Sequence, residues 1–160
     1  KKYKNLGIIF TYPNSDKGNL LEIKKIQNFV KKNSNSKFYK SLGLHNYLNC
    51  LFYSDGILGN TSSGIIEAPL MHKGSVNLGE RQKGRVLSSS VINSDFSKKN
   101  INKSLKKLLS DNFQKKIKKV KSPYYGKDVS KKIFNYLKKK KNLKIRLKNF
   151  FDLKKWKKKY

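Results

Sequence analysis

The chain has 160 residues, the size of one ordinary domain and enough to bury roughly two thirds of its unfolded surface. Its 39 basic and 9 acidic residues give a formal net charge of +30, which invites a nucleic-acid or acidic-membrane reading. An aromatic content of 12% and regular apolar clusters argue against disorder, and no apolar run approaches the ~20 residues that span a bilayer. The single Cys50 excludes an internal disulfide framework, and His45 and His72 alone make no zinc cluster. No metal and no cofactor is expected. Neither an initiator Met nor a leader pattern opens the chain, and Leu6 to Phe10 already has the pattern of a buried strand, so a piece of a longer protein is expected.

In chain order, Leu6 to Tyr12 is a short β-branched strand running into the turn Pro13-Asn-Ser-Asp16. Asn19 is placed to cap a helix whose apolar positions are Leu20, Ile23, Ile26 and Val30, ended by Asn33-Ser-Asn35. Lys37 to Leu42 makes a second strand and Gly43 a turn, and Tyr47, Leu48, Leu51 and Phe52 make the inner face of a second helix. Gly56 to Gly59 is a third strand, followed by a hydroxyl-rich turn and a short helix stopped near Pro69. Ser75 to Leu78 and Ser90 to Ile92 give two more strands, with helices around Ile101 to Leu109 and Asp128 to Leu137. Such alternation predicts an α/β fold, a parallel sheet covered by helices, with ligands at the carboxyl ends of the strands. Residues 1–140 form the expected domain. Residues 141–160 form a basic amphipathic tail or helix, suited to packing on its own protein or to a membrane surface.

Charge is unevenly placed. Residues 1–40 carry 10 Lys against 2 acids, residues 41–97 carry 2 Lys and 2 Arg against 4 acids, and residues 98–160 carry 25 basic groups against 3 acids. The middle third is neutral. There are 36 Lys to 3 Arg, and 17 Asn, whereas nucleic-acid readers need arginine for bidentate base contacts. A chain-wide Lys and Asn bias of the kind an AT-rich genome imposes accounts for much of the excess.

The neutral third holds Gly59-Asn-Thr-Ser-Ser-Gly-Ile-Ile-Glu67. A strand feeding a helix there would aim backbone N–H groups at an anion, with Gly64 clearing space for a phosphate and Thr61, Ser62 and Ser63 adding hydroxyl donors. Glu67, one turn on, is the wrong sign for phosphate and suits a ribose diol, as the acid of dinucleotide folds does. The plainer alternative is a serine-capped helix with a surface Glu. Two of the three arginines stand in Arg81-Gln-Lys-Gly-Arg85, after the fourth strand and hence on the same rim, where a guanidinium can fork onto phosphate or carboxylate. Asn14 and Asp16 fall on that rim too, and Pro123-Tyr-Tyr-Gly126 is another candidate rim loop.

Tyr12-Pro-Asn-Ser-Asp16, Ser41-Leu-Gly43 with Tyr47-Leu48, Gly59 to Pro69, Val76 to Arg85, Ser90-Val-Ile92, Pro123 to Gly126 and Ser130 to Ile133 together resemble, in order and spacing, the C-terminal half of the hydrolysing UDP-N-acetylglucosamine 2-epimerases. The resemblance covers about residues 5–137. It implies the C-terminal half of a GT-B architecture, two Rossmann-like domains with the sugar nucleotide between them, and makes residues 1–140 the nucleotide-binding domain with its first strand and helix missing from this chain. The implied reaction removes the C2 proton, expels UDP to leave a glycal, and adds water to release N-acetylmannosamine, serving sialic-acid-like surface sugars. It further implies a cytoplasmic enzyme without cofactor, membrane span or nucleic-acid partner, its oligomeric state open. By resemblance Asn14 lies near the nucleotide, the backbone at Leu42 reads the uracil edge, and Thr61 and Ser62 hold the diphosphate. Glu67 takes the ribose hydroxyls, Arg81 faces phosphate or sugar, and Ser63 and Gly64 complete the turn. Thr61 stands where Ser is usual, Ser75 where Pro is common, and Gly126-Lys-Asp128 replaces a Gly-Asp-Gly turn. The family's acid and base carboxylates come from the N-terminal domain, so no catalytic residue is expected in this chain, which would bind the UDP moiety and not turn it over. The competing expectations are a GT-B glycosyltransferase half and a basic protein that binds nucleic acid through residues 98–160.

Overall fold

The computed structural model describes residues 6–15 and 18–140. Asp16 and the expected tail at 141–160 lie outside the described residues. The elements are β1 (Ile8–Thr11), α1 (Asn19–Lys31), β2 (Ser36–Tyr39), α2 (Gly43–Tyr53), β3 (Gly56–Gly59), a 3-10 turn (Ser62–Gly64), α3 (Glu67–Leu70), β4 (Gly74–Leu78), β5 (Val91–Ser94), α4 (Lys98–Leu108), α5 (Asp111–Ile117) and α6 (Val129–Lys139). The chain divides into two compact units after Tyr125, with α6 in the second.

All the strand pairings are parallel: Phe10 lies opposite Phe38, Leu58 opposite Val76, and Val76 opposite Ile92. The expected fold class is thus observed, with the ladder in two pieces, β1-β2 and β3-β4-β5. Successive strand residues face opposite sides, and both sides of β3-β4 are covered. Gly56 and Gly74 face α4, whose Leu108 leaves no room for a Cβ at either. Ile57 and Ser75 face the other way, beneath the 3-10 turn. The core gathers on the α4 side, where Val76, Leu108, Phe113 and Ile117 are buried together and Leu78, Ile92 and Leu105 pack against them.

Several boundaries differ from expectation for local reasons. The residue that starts α1 is Gly18, left-handed at φ 94°, so Asn19 is the first helical residue and not its cap. Of the expected inner face of α2, Leu51 is buried and Tyr47 and Leu48 half-buried, while Phe52 is exposed and sits under the Lys73 ammonium. Of the expected hydroxyl-rich turn and short helix, the turn is the 3-10 segment and the helix is α3, which holds Pro69 inside it instead of stopping before it; a missing N–H costs nothing in a first turn. Helix α5 was not expected at all: Ser110 caps it, accepting from the Phe113 N–H at 3.4 Å, and its one apolar pair, Phe113 and Ile117, is spaced at i, i+4 among lysines.

The start of α4 carries a pH signal. Ser97 Oγ accepts from the Asn100 N–H at 3.2 Å, and Asp95 accepts from the Ser97 N–H and from Asn100 Nδ2, each at 2.9 Å. The hydrogen bonds from Ser97, then Asn100, hold the Asp95 carboxyl below its ordinary value. A depressed folded-state pKa stabilises above the unfolded value and is lost as pH falls through the folded one. The wild-type chain is therefore expected to melt above Asp95→Asn at neutral pH, with the gap closing below about pH 4, as thermal melts across acid pH would read.

Candidate functional site

Because the strands are parallel, the segments after β1, β2, β3 and β4 leave from carboxyl ends, the edge at which α/β sheets take ligands. The structure joins several of these segments by side chains. The Arg81 guanidinium, after β4, donates through both Nη atoms to the Asn14 amide oxygen, after β1, with Nη2 at 2.8 Å. Gln82 Nε2 donates to the Asn60 carbonyl at 2.8 Å, tying the segment after β4 to that after β3. From α2 the Tyr47 hydroxyl donates to Ser63 Oγ. The Tyr124 hydroxyl donates to the Val86 carbonyl at 3.1 Å, which brings the expected Tyr-Tyr loop to the same set of segments. Leu42, half-buried, precedes α2, where the Gly43 N–H donates to Ser41 Oγ at 3.2 Å.

The hydroxyl turn is built differently from the expected anion cradle. Its backbone donors are engaged internally: the Ser63 N–H bonds Thr61 Oγ1 at 3.3 Å, the Gly64 N–H bonds the Thr61 carbonyl at 3.3 Å, and the Ile65 and Ile66 N–H groups both bond the Ser62 carbonyl at 2.9 Å. A 3-10 turn of 3 residues and a helix of 4 add little macrodipole. Gly64 is also needed for another reason than the one expected. A Cβ there would stand 3.3 Å from Ile57 Cγ2 and 3.3 Å from Ser75 Cβ, so the missing side chain lets the turn lie on the sheet and does not open space for a phosphate. What the turn offers outward is the hydroxyl of Ser62 and that of Thr61, both exposed, with Ser63 buried behind them.

Glu67 opens α3, half-buried, and its Oε2 is buried without a hydrogen-bond partner among the described residues. Gln82, 5% exposed, has the same deficit at Oε1. Buried acceptors of this kind are costly unless something donates to them. Burial raises the Tyr47 phenol above its ordinary value, the Ser63 bond pulls it down, and the negative charge of Glu67 raises it again. Tyr47 therefore stays a donor, and Tyr47→Phe is expected to remove a step displaced to alkaline pH from an ultraviolet pH titration while lowering stability by only about 1 kcal/mol. Neither Tyr47 nor Gln82 is expected in the site from sequence, where Tyr47 is read only as part of the inner face of a helix. The signal for Gln82 was its place beside Arg81 in an otherwise solvated loop, and that for Tyr47 was its phenol on a helix face of leucines.

A recess between α1 and β2 is lined by Gln27, Val30, Lys31, Lys37, Phe38 and Tyr39 and by none of these groups. Among the described residues no helix is long and apolar enough to cross a membrane.

Residues 1–138 match the sequence profile of the UDP-N-acetylglucosamine 2-epimerase family. The chain belongs to that family. Its α/β fold of parallel strands with helices on both sides is the Rossmann-like fold of this GT-B type superfamily. Among similar proteins, the GDP/UDP-N,N'-diacetylbacillosamine 2-epimerase (hydrolyzing) of Campylobacter jejuni is 38% identical over 152 residues, covering 94% of this chain and 39% of that protein. The UDP-N,N'-diacetylbacillosamine 2-epimerase (hydrolyzing) of Legionella pneumophila is 42% identical over 91 residues, 57% of this chain and 24% of its own length. The polysialic acid biosynthesis protein P7 of Escherichia coli is 32% identical over 117 residues, 73% and 30% respectively. This member of the epimerase family thus spans two fifths or less of each relative it matches.

Proposed function

We propose that this chain is the nucleotide-binding half of a hydrolysing 2-epimerase acting on a UDP-linked 2-acetamido sugar, and that its strand-end rim holds the UDP moiety. The observation that carries the reading is Glu67: a carboxylate oxygen buried without a donor, one turn from two outward hydroxyls, in a stretch of net zero charge. A ribose diol supplies the donor that this oxygen lacks, with its second hydroxyl free to meet the carboxylate's other oxygen. Thr61 and Ser62 give hydroxyls to the diphosphate, and Arg81, held by Asn14, adds the cation that a diphosphate needs in so neutral a segment. The backbone at Leu42 is assigned to the uracil edge.

In the proposed reaction a base removes the proton at C2 of the sugar, the C1–O bond breaks with its electron pair leaving on UDP, and water adds to the resulting glycal to release the 2-epimeric free sugar. The chain's part is to hold the leaving group. The acid and base are assigned to a preceding domain, and residues 1–140 to the nucleotide domain. We place the enzyme in the cytoplasm. The names borne by the Campylobacter jejuni and Legionella pneumophila relatives make a diacetamido sugar the first alternative to UDP-N-acetylglucosamine.

The test is thermal unfolding with UDP. A ligand at 100 times its Kd stabilises by about 2.7 kcal/mol, so millimolar UDP is expected to raise the unfolding midpoint while uridine raises it less. No shift at millimolar UDP, together with salt-dependent DNA binding that survives Glu67→Ala and Arg81→Ala, would overturn the proposal in favour of a nucleic-acid protein.

A further inference from the structure

We propose that Tyr47 is a positioning residue for the diphosphate: by donating to Ser63 Oγ it leaves the Ser63 proton for the ligand and makes that hydroxyl a third donor beside Thr61 and Ser62. The role rests on the reading of the rim as a UDP site, and it meets a difficulty that the turn itself raises. The N–H groups of Ser63, Gly64, Ile65 and Ile66 are all engaged inside the turn. An anion there is left to draw chiefly on hydroxyl protons, so which way those protons face decides what the turn can hold.

A hydroxyl has one proton and two lone pairs and rotates to suit its partners. Thr61 Oγ1 accepts from the Ser63 N–H at 3.3 Å, and Ser63 Oγ accepts from the Tyr47 phenol. In both, a lone pair is turned to a protein donor, and no acceptor among the described residues takes the proton. The same device occurs twice in three residues. A phenol is the stronger acid and the poorer acceptor of the two hydroxyls, which makes Tyr47 the donor of the pair, and burial keeps it protonated.

Burial makes the bond hard to replace. Ser63 is 8% exposed and Tyr47 half-buried, so bulk water does not readily stand in for the phenol, and a hydrogen bond so shielded is stronger than one in water. Packing does not require the hydroxyl: Tyr47 stands on α2 with Leu48 and Leu51, where a phenylalanine ring fits the same face. In Tyr47→Phe the Ser63 rotor is free. The Glu67 carboxylate, close enough for its charge to bear on Tyr47 and short of a donor at Oε2, then competes with the diphosphate for the Ser63 proton. A bond that only stapled α2 to the turn would matter to the fold and to every ligand alike; one that sets a donor matters to ligands that carry the diphosphate.

Calorimetric titration of the chain with UDP and with uridine tests the role. Tyr47→Phe is expected to weaken UDP about 10-fold and uridine less than about 2-fold, the loss of one hydroxyl bond to a charged group. The salt dependence of UDP binding stays as in wild type, because no charge is removed. Ser63→Ala is expected to show the same pattern, and the double variant no further loss, since the phenol acts through that hydroxyl alone. Should Tyr47→Phe fail to fold, the pH profile decides: the preference for UDP over uridine falls in wild type as the phenol ionises, and falls less in Ser63→Ala. UDP binding that is equal in wild type and Tyr47→Phe overturns the role of Tyr47 and leaves the UDP reading standing. Equal losses for UDP and uridine, losses that add in the double variant, or pH profiles that coincide overturn it too, and a wild type that does not bind UDP overturns both.

Discussion

Gly74→Ala is expected to destabilise the chain by about 2 to 3 kcal/mol, the cost of overpacking a core with no room to yield. A Cβ at Gly74 would stand 2.5 Å from Leu108 Cδ1, 2.9 Å from Phe113 Cε1 and 3.6 Å from Ile117 Cδ1. Those three side chains are themselves buried, at 3%, 8% and 1% exposure, so none can swing out to solvent. The backbone gives no easier escape, since β4 is paired on both edges and a shift of Gly74 would disturb two ladders. Gly84→Ala is the control: its φ of 84° is left-handed but nothing lies within 4 Å, so only the backbone preference is lost, about 1 kcal/mol. Urea titration separates the two. Leu108→Ala alone is expected to cost about 2 to 5 kcal/mol by leaving a cavity, and the double variant with Gly74→Ala less than the sum, because the added methyl occupies part of the vacated space. A loss below about 0.5 kcal/mol for Gly74→Ala would mean that the sheet and α4 are not packed as described.

Strands β1, β3 and β4 were legible because each is a short apolar run closed by Gly or Pro: all of β1 and β3 and most of β4 lie within the expected spans, whereas β2, Ser36-Lys-Phe-Tyr39, carries no such stop and its expected span runs on to Leu42. The hydroxyl turn and the Arg81 segment were legible because they stand out against a lysine-rich background. What was not legible was tertiary. Gly64 looks like a phosphate-loop glycine, yet the contact that demands it is with Ile57 and Ser75 of the sheet, which no local pattern reveals. The break in the ladder is likewise a property of strand order, and alternation alone predicts one continuous sheet. Phe52 continues the apolar spacing of α2 but is exposed, because periodicity marks a face without saying how wide a stripe the neighbours cover. Asn14 and Arg81, 67 positions apart in the sequence, could be placed on one rim from the fold class; that they touch could not.

Glu67→Ala is expected to weaken UDP binding by about 10- to 100-fold, the loss of a carboxylate's hydrogen bonds to two hydroxyls at roughly 1.5 to 3 kcal/mol. The same substitution should leave the unliganded chain as stable as before or slightly more so, because Oε2 is buried without a partner and its removal relieves a desolvated acceptor. That opposite pair of effects distinguishes a ligand role from a structural one, which would lower stability first. Calorimetric titration with UDP and with 2'-deoxy-UDP sharpens the assignment: wild type should prefer UDP, and Glu67→Ala should bind the two alike. Arg81→Ala supplies the contrast. It removes a cation facing the diphosphate, so it should weaken both nucleotides equally, flatten the salt dependence of binding and leave the preference for the 2'-hydroxyl intact. If Glu67→Ala kept the preference and Arg81→Ala lost it, the ribose and phosphate ends of the rim would be reversed. Loss of Arg81 also frees Asn14, the link between the segments after β1 and β4, and Asn14→Ala should reproduce a part of the Arg81→Ala deficit without its change in salt dependence, since it disorders the guanidinium while leaving its charge in place.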